Sequence, residues 1–329
     1  MYLSGLNPIK VFASDRQLFG SLYINTFLRS LYYSATKRKL RTSSYGGYPV
    51  LSHGDGNSYL RNAILSGEPF MFGRLGSCEL GICNQVLYKT KGIKASVDME
   101  AIKHASNCGF YADNEEEVVR FYEETKSSLS SSDMVGLFFW GGIPEDYYIR
   151  RYCKENVKLT HGNIMDFWRF DTPFTSALAG KKVLVVSPLA ELIEKQYANR
   201  EKLFENPSVL PQFELRTVRA IQTIMGNRDP RASSWVDGIE YMFEEAMKHD
   251  FDIALLGCGS YGTPLAKRLK NAGKVAIYMG GVLQMLFGIR GKRWDSIPEA
   301  KALYNEYWVT PDGKFKPRSA EECEDGCYW

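Results

Sequence analysis

Short apolar runs alternate along the chain with longer stretches that mix apolar and polar residues. The apolar runs are too short for helices and are bounded by turn residues, which is typical of strands buried on both faces of a parallel sheet. The longer stretches repeat their apolar residues at helical spacing. This order of strand, helix, strand, helix predicts an α/β fold: a mostly parallel, Rossmann-like sheet covered by helices on both faces.

The same pattern places the individual elements. Strands are predicted from residue 70 to the small residues at 76–77, and at 135–140, 157–160, 183–188, 213–221, 251–256 and 275–279. Helices are predicted at 57–65, 82–88, 114–129, 145–154, 189–204, 234–248, 264–271 and 296–308. The acidic run 115–117 supports the third of these helices, because carboxylates are favoured in a first helical turn.

Three regions follow from the pattern. Residues 1–50 are predicted to form an N-terminal helical accessory segment, since apolar residues between Leu18 and Tyr32 recur at helical spacing before the basic run 37–41. Such a helix either packs into a core or lies on an anionic membrane surface or a protein partner. Residues 51–310 are predicted to form the α/β domain, with two halves that meet near 174–180, and 311–329 an irregular tail. The sequence leaves open whether the halves are separate domains or one sheet.

A glycine-rich loop follows the apolar run 251–256. Glycines permit close backbone approach, and free N–H groups at the start of the next helix favour an anion such as a phosphate. The residues predicted to hold phosphates are Gly257, Gly259, Ser260, Tyr261 and Gly262. The alternative is a tight turn without a ligand. The spacing also matches a dinucleotide fingerprint, but Met279 and Gly280 stand where a ribose-binding acid is expected, which disfavours an NAD(P)-dependent oxidoreductase.

Charged residues follow two of the predicted strands. Arg74 and Glu79 come after the first strand, where an arginine can bind a phosphate and a carboxylate can hold a metal or orient a hydroxyl group. The alternative is a structural salt bridge between them. A basic group follows the last strand and is predicted either to neutralise a diphosphate or to form a solvated loop. It consists of Arg290, Lys292 and Arg293.

Composition narrows the functional classes. The formal net charge of +3 does not indicate a nucleic-acid partner. The seven cysteines are irregularly spaced, which favours reduced thiols. No apolar run approaches the ~18 residues that span a bilayer, and the N-terminus lacks a signal-peptide pattern. We therefore expect a cytoplasmic protein, peripheral at the membrane surface if its N-terminal helix binds lipid.

Several blocks resemble a known family. The block Arg74-Leu75-Gly76-Ser77-Cys78-Glu79 resembles the R-x-G-D-x-E signature of GT-D-type glycosyltransferases. The blocks 182–188, 196–204, 251–262 and 280–294 resemble a GT-D-like family of surface-polysaccharide biosynthesis. The resemblance covers roughly residues 58–300. It implies an enzyme that transfers a sugar from a nucleotide-diphosphate sugar, with UDP as one such leaving group, to a glycan acceptor.

The resemblance also implies roles for particular residues. Arg74, Gly76, Ser77 and Glu79 would line the donor site, and Gly280, Gly281 and Gln284 would shape the sugar or acceptor side. Glu79 or His161 would serve as the general base, although a structural histidine is the alternative for His161. The family's acidic pair implies Mn²⁺ or Mg²⁺, but Ser77 replaces its aspartate, so Glu79 is the one metal ligand left and metal dependence stays open. A nucleotide-binding partner of an assembly enzyme, without transfer activity, is the alternative function.

Overall fold

A seven-stranded parallel sheet forms the centre of the protein. The computed structural model describes residues 20, 31, 34–36, 44–45, 47–138, 143–323 and 325–329. The strands, in chain order, are a short antiparallel pair β1 (Ser44–Tyr45) and β2 (Tyr48–Pro49), then β3 (Phe70–Arg74), β4 (Met134–Leu137), β5 (Lys158–His161), β6 (Lys182–Ser187), β7 (Glu214–Arg219), β8 (Ile253–Leu256) and β9 (Val275–Tyr278). The order across the large sheet is β5-β4-β3-β9-β8-β6-β7.

Helices cover the sheet on both faces. They are α1 (His53–Ser66), α2 (Ser77–Thr90), α3 (Met99–His104), α4 (Glu115–Ser131), α5 (Ile143–Tyr152), α6 (Ala190–Tyr197), α7 (Arg200–Leu203), α8 (Trp235–Met247), α9 (Gly262–Asn271), α10 (Val282–Leu286), α11 (Lys292–Asp295) and α12 (Pro298–Lys301). Successive strand residues belong to opposite cores: Val183 and Val185 pack on one face, and Leu184 and Val186 on the other. The α/β prediction is therefore confirmed.

The chain builds one continuous sheet from two halves. β3, β4 and β5 follow one another towards one edge, and the chain then crosses to β6 and β7 at the other edge. β8 and β9 fill the space between, so that β9 pairs with β3 on one side and with β8 on the other. Residues 162–178, between the halves, form short 3₁₀ turns. The question left open at 174–180 is thus answered in favour of a single sheet.

Two long predicted helices are shorter in the structure. The helix predicted at 189–204 divides into α6 and α7, and Gln196 at the end of α6 is tied by its amide to the carbonyl groups of Gly288 and Tyr307. The helix predicted at 296–308 is reduced to α12. The Asn305 side chain accepts a hydrogen bond from the Tyr307 amide and donates to the Lys202 carbonyl. The bond between Tyr307 and Asn305 is local and competes with helix continuation, whereas the bonds of Gln196 and the bond from Asn305 to Lys202 are tertiary contacts.

The remaining predictions concern the two ends. The N-terminal helix and the basic run 37–41 lie outside the described residues, apart from positions 20, 31 and 34–36, and stay predictions. The C-terminal tail is irregular but anchored: the Asn227 side chain donates to the Arg318 carbonyl (2.9 Å), and the Gln284 side chain donates to the Tyr328 carbonyl (3.2 Å). Within the described part of the chain, no helix has the length and apolar character needed to cross a membrane.

Candidate functional site

A cleft opens at the edge of the sheet where the strands end. Because the strands are parallel, their carboxyl ends share one edge, and loops that follow all seven strands line a volume of about 550 Å³. The chain leaves the neighbouring strands β6 and β8 in opposite directions, towards β7 and β9. Open α/β sheets bind ligands at such a point. The cleft includes this point between β6 and β8, since Ser187 and Gly257 both line the cleft.

Arg74 lines this cleft. It is the last residue of β3, and its backbone N–H donates to the Thr263 hydroxyl, which donates in turn to the Arg74 carbonyl. The guanidinium carbon is 4.7 Å from the centre of the Tyr278 ring and 5.5 Å from that of Phe138. Within the described residues, the half-buried guanidinium has no hydrogen-bond or ion-pair partner. A cation held in this way is suited to an anionic ligand.

The Arg74 side chain occupies space that is available because Gly280 has no side chain. The φ of Gly280 is +64°, and a β-carbon there would overlap the guanidinium of Arg74. We expect Gly280→Ala to displace Arg74 and to weaken binding of a nucleoside diphosphate. The change also forces a left-handed backbone on a residue with a side chain, which costs about 1–2 kcal/mol.

Gly273 provides the matched control for that experiment. Its φ is +83°, but nothing lies within 4 Å of a β-carbon added there. Urea unfolding should therefore show similar losses of stability in Gly273→Ala and Gly280→Ala, because the Arg74 side chain is flexible enough to move. Titration with nucleoside diphosphates should show weaker binding in Gly280→Ala alone. Equal affinity in the two variants would contradict this account of Gly280.

Glu79 covers the first turn of α2. Gly76 is the N-cap residue, and no side chain caps it by a hydrogen bond. The Glu79 carboxylate lies over Gly76, at the place where a glutamate of a capping box reaches back. Glu79 is 9% exposed, whereas Ser77 is exposed, and both line the cleft. Among the described residues, no three His, Cys, Asp or Glu side chains form a metal-binding group. The residues present thus do not fit a metal ion on their own, and the predicted Mn²⁺ or Mg²⁺ stays a prediction.

The glycine-rich loop is packed against protein on the side where side chains would stand. β-Carbons at Gly257, Gly259 and Gly262 would meet, respectively, the Leu283 side chain, the Cys108 carbonyl and the Tyr278 ring. Gly257, Gly259 and Tyr261 line the cleft, but Gly262 and Ser260 do not. The Ser260 hydroxyl accepts a hydrogen bond from the Trp235 ring (2.9 Å), and the Tyr261 hydroxyl pairs with that of Thr223 (2.7 Å). The loop therefore shapes the cleft wall, while its predicted contact with phosphates stays untested.

The three residues of the predicted basic group do not lie together in the structure. Arg293 lines the cleft, with its guanidinium carbon 4.7 Å from the centre of the Tyr328 ring. Arg290 and Lys292 do not line it. The Arg290 side chain donates to the Asn305 carbonyl (2.9 Å), and the Lys292 side chain to the Asp325 carbonyl (2.9 Å). Arg293 is thus the member of this group that lines the cleft, and its predicted contact with a diphosphate stays a prediction.

The predicted acceptor residues all line the cleft, and two of them hold the C-terminal tail. A β-carbon at Gly281 would overlap the Tyr328 ring, so the absence of a side chain lets the tail approach. The Gln284 side chain donates to the carbonyl groups of Arg290 (2.8 Å) and Tyr328 (3.2 Å). Gly280, described above, lies next to them. As a result the tail residues Tyr328 and Trp329 form part of the cleft wall, which the sequence pattern does not indicate.

His161 lies beside the cleft and does not line it. Its ring stacks on that of His53, with 4.4 Å between the centres and 14° between the planes. Burial and the neighbouring His53 lower the pKa of His161, so the ring is neutral near pH 7. The lining at this place is made by Gly162 and Asn163, and the Asn163 side chain is 2.9 Å from the Nε2 atom of His53.

Asp166 is the acidic residue of the cleft that the sequence pattern misses. It follows the 3₁₀ turn after β5, lines the cleft and is 9% exposed. Its Oδ2 atom accepts a hydrogen bond from Arg169 Nε (3.1 Å). Burial raises the pKa of Asp166, although Arg169, Arg74 and His53 act in the opposite direction. The available signal is an aspartate among apolar residues just after a strand, which alone does not distinguish a site from a surface loop.

Three cysteines also line the cleft, namely Cys78, Cys108 and Cys258. The hydrogen bond with Cys78, together with burial, raises the pKa of the Cys108 thiol well above its ordinary value. A thiol with a raised pKa stays protonated near neutral pH and is a poor nucleophile. The cleft therefore offers Arg74, Glu79 and Asp166 as its chemically useful charged groups, with Arg293 at its rim of aromatic residues.

Comparisons with known proteins identify the family of the chain. Residues 57–286 match the family model of the GT-D-like family, described as a GT-D fold-like domain. A solved structure described as a selenomethionine-substituted domain of unknown function 1792 is similar at 11% identity, with a TM-score of 0.48, over 92% of this chain and 96% of that one. No curated protein matches the chain. Since the family match spans well over half of the 329 residues and confirms the resemblance found in the sequence, the chain belongs to the GT-D-like family.

Proposed function

We propose that the protein is a glycosyltransferase that transfers a sugar from a nucleotide-diphosphate donor to a glycan acceptor. The observation that carries the proposal is Arg74, a half-buried cation in the cleft whose guanidinium makes no hydrogen bond or ion pair among the described residues. A departing nucleoside diphosphate develops negative charge, and a preorganised arginine in a cleft with little water stabilises such charge. The family to which the chain belongs supports this assignment.

Different parts of the cleft are suited to contact different parts of the substrates. Arg74 and the start of α2 face the diphosphate, and Arg293 provides a second positive charge at the tail. Aromatic side chains near Arg293, among them Tyr328 and Trp329, offer flat surfaces of the kind that sugar or base rings contact. We also propose that residues 1–50 contact a membrane surface or a protein partner, which rests on their sequence pattern alone.

One observation favours a second function, a nucleotide-binding partner without transfer activity. Ser77 stands where the family signature has an aspartate, and its side chain is exposed beside the single carboxylate Glu79. Such a protein would bind the same nucleotides through Arg74 but would not break the sugar–phosphate bond. Binding and turnover must therefore be measured separately.

A thermal-shift experiment tests the proposed function. Uridine, guanosine, thymidine and cytidine diphosphates are added singly, with and without Mn²⁺, and NAD⁺ and NADP⁺ serve as comparison ligands. We expect one nucleoside diphosphate to raise the melting temperature by a few degrees, because a ligand at about 100 times its Kd stabilises a protein by about 2.7 kcal/mol. Release of nucleoside diphosphate from the corresponding nucleotide sugar would separate the transferase from the binding partner. A shift with a nicotinamide nucleotide alone would overturn both.

A further inference from the structure

We infer that Asp166 is the general base of the transfer, which accepts the proton of the acceptor hydroxyl in an inverting reaction. This inference rests on the proposed glycosyltransferase function. It assigns the base to a residue on the β5 side of the cleft, in place of Glu79 and His161.

The position of Asp166 favours this role. Arg169 holds one carboxylate oxygen, Oδ2, at 3.1 Å, whereas Oδ1 has no hydrogen-bond partner among the residues that the structure describes. When one carboxylate oxygen accepts a hydrogen bond, the carboxylate is held in one orientation. The second oxygen, which has no hydrogen bond, can still receive a proton. The side chain is almost buried and yet belongs to the cleft lining.

The two alternatives are less suitable. The Glu79 carboxylate is folded over Gly76 at the start of α2. His161 lies outside the lining, with its ring against His53. Asp166 combines a carboxylate, direct access to the cleft and a fixed orientation.

The geometry of the sheet separates Asp166 from the diphosphate site. Arg74 ends β3 and Asp166 follows β5, with β4 between these two strands. The ends of β3 and β5 are therefore two strand spacings apart, about 10 Å. A donor whose diphosphate contacts Arg74 thus leaves room for its sugar in between, and the acceptor hydroxyl would approach the sugar from the side of Asp166, opposite the leaving group.

The proposed step involves only the acceptor, the donor, Asp166 and Arg74. The acceptor oxygen forms a bond to the anomeric carbon, and its proton passes to Oδ1 of Asp166. The bond from the anomeric carbon to the phosphate oxygen breaks, and its electron pair leaves with the nucleoside diphosphate, whose charge Arg74 stabilises. The anomeric configuration is inverted in this single displacement.

The charged and titratable groups around Asp166 make the inference testable by pH. They are Arg169 after it, Arg74 on β3 and His53 on α1, whose ring stacks on that of His161. Burial raises the pKa of Asp166, while the hydrogen bond from Arg169 lowers it. Only the ionised form accepts a proton, so activity should rise with pH through this pKa. Removing the Arg169 bond should move that rise to higher pH.

The experiment uses the full chain and hydrolysis of a nucleotide sugar, with water as the acceptor. The probe is UDP-glucose, or GDP-mannose, thymidine-diphosphate glucose or CDP-glucose if another base gives the thermal shift. We expect Asp166→Asn to lower the hydrolysis rate by about 10²–10⁴-fold, the usual contribution of a general base, with the nucleoside diphosphate thermal shift retained. Asp171→Asn, at an exposed position nearby, should leave the rate unchanged. In Arg169→Gln, the rise of kcat/KM on the acidic side of its pH profile should move to higher pH. The maximum value of kcat/KM should be retained.

The outcomes separate the two proposals. If the wild-type protein hydrolyses none of these donors, the proposed function fails and the assignment of the base fails with it. If the wild type is active and Asp166→Asn is equally active, the inference alone is overturned. An unmoved acidic limb in Arg169→Gln, or retention of the anomeric configuration in the first product seen by NMR, would overturn it as well, even if Asp166→Asn proved too unstable to assay.

Discussion

Replacing Arg74 by glutamine is expected to abolish the thermal shift that a nucleoside diphosphate produces. Removing one member of a buried charge pair costs about 2–5 kcal/mol, which corresponds to an affinity loss of about 30-fold to several thousand-fold. Arg74→Lys should restore part of the affinity, since lysine keeps the charge but lacks the planar fork that binds two phosphate oxygens. Isothermal titration of the three proteins with the nucleotide measures the effect.

Lys292→Gln is the control for the Arg74 variants. Lys292 belongs to the basic group of the sequence but lies outside the cleft, where it donates to the Asp325 carbonyl. Its replacement should leave the affinity for nucleotide unchanged. If Lys292→Gln weakened binding as strongly as Arg74→Gln, the diphosphate would have to lie at the basic group and not at Arg74.

Glu79→Gln is expected to lower turnover of the nucleotide sugar by about 100-fold with little change in melting temperature. Glutamine can replace glutamate in a capping box, so the start of α2 should remain stable. The variant removes only the negative charge, which we expect to orient a sugar hydroxyl or to bind Mn²⁺ together with phosphate oxygens. Turnover and melting temperature, each with and without Mn²⁺, are measured on the same samples.

Glu117→Gln is the matched control, because it changes a similar cap far from the cleft. Glu117 lies in the first turn of α4, which Asn114 caps, and its carboxylate accepts a hydrogen bond from the Asp113 amide (2.7 Å). This variant should behave like the wild type in turnover. If Glu79→Gln instead lowered the melting temperature markedly and left turnover per folded molecule intact, Glu79 would be a structural cap with no part in the reaction.

The sequence pattern predicts the fold well where buried strands end in turn residues. Apolar runs such as Ile253–Leu256 are buried on both faces in the parallel sheet, and their short length excludes helices. Periodicity overestimates the helices at 189–204 and 296–308, because it does not reveal the tertiary and local hydrogen bonds that Gln196 and Asn305 make. The order of strands across the sheet depends on long-range pairing and was not available from the pattern.

The candidate site was only partly accessible from the sequence. Arg74 and Glu79 were found because they follow a strand, and the carboxyl ends of parallel strands share one edge. The position of Asp166 depends on the 3₁₀ turns after β5, and that of Tyr328 depends on the absence of a side chain at Gly281. No local sequence pattern indicates either position. Arg290 and Lys292 were grouped with Arg293 by spacing alone, whereas the chain turns each side chain in its own direction.

The pairing of β9 with β3 has a consequence for how the protein is made. β3 ends at Arg74, and its partner β9 begins only at Val275. At the usual pace of translation, β3 waits roughly 10–40 s before β9 is synthesised. Until then β3 and β8 each expose an unpaired edge, which other chains can join. A nascent or truncated chain that lacks β9 should therefore depend on chaperones, and the last strand to join the sheet is also the one that brings Gly280 to Arg74.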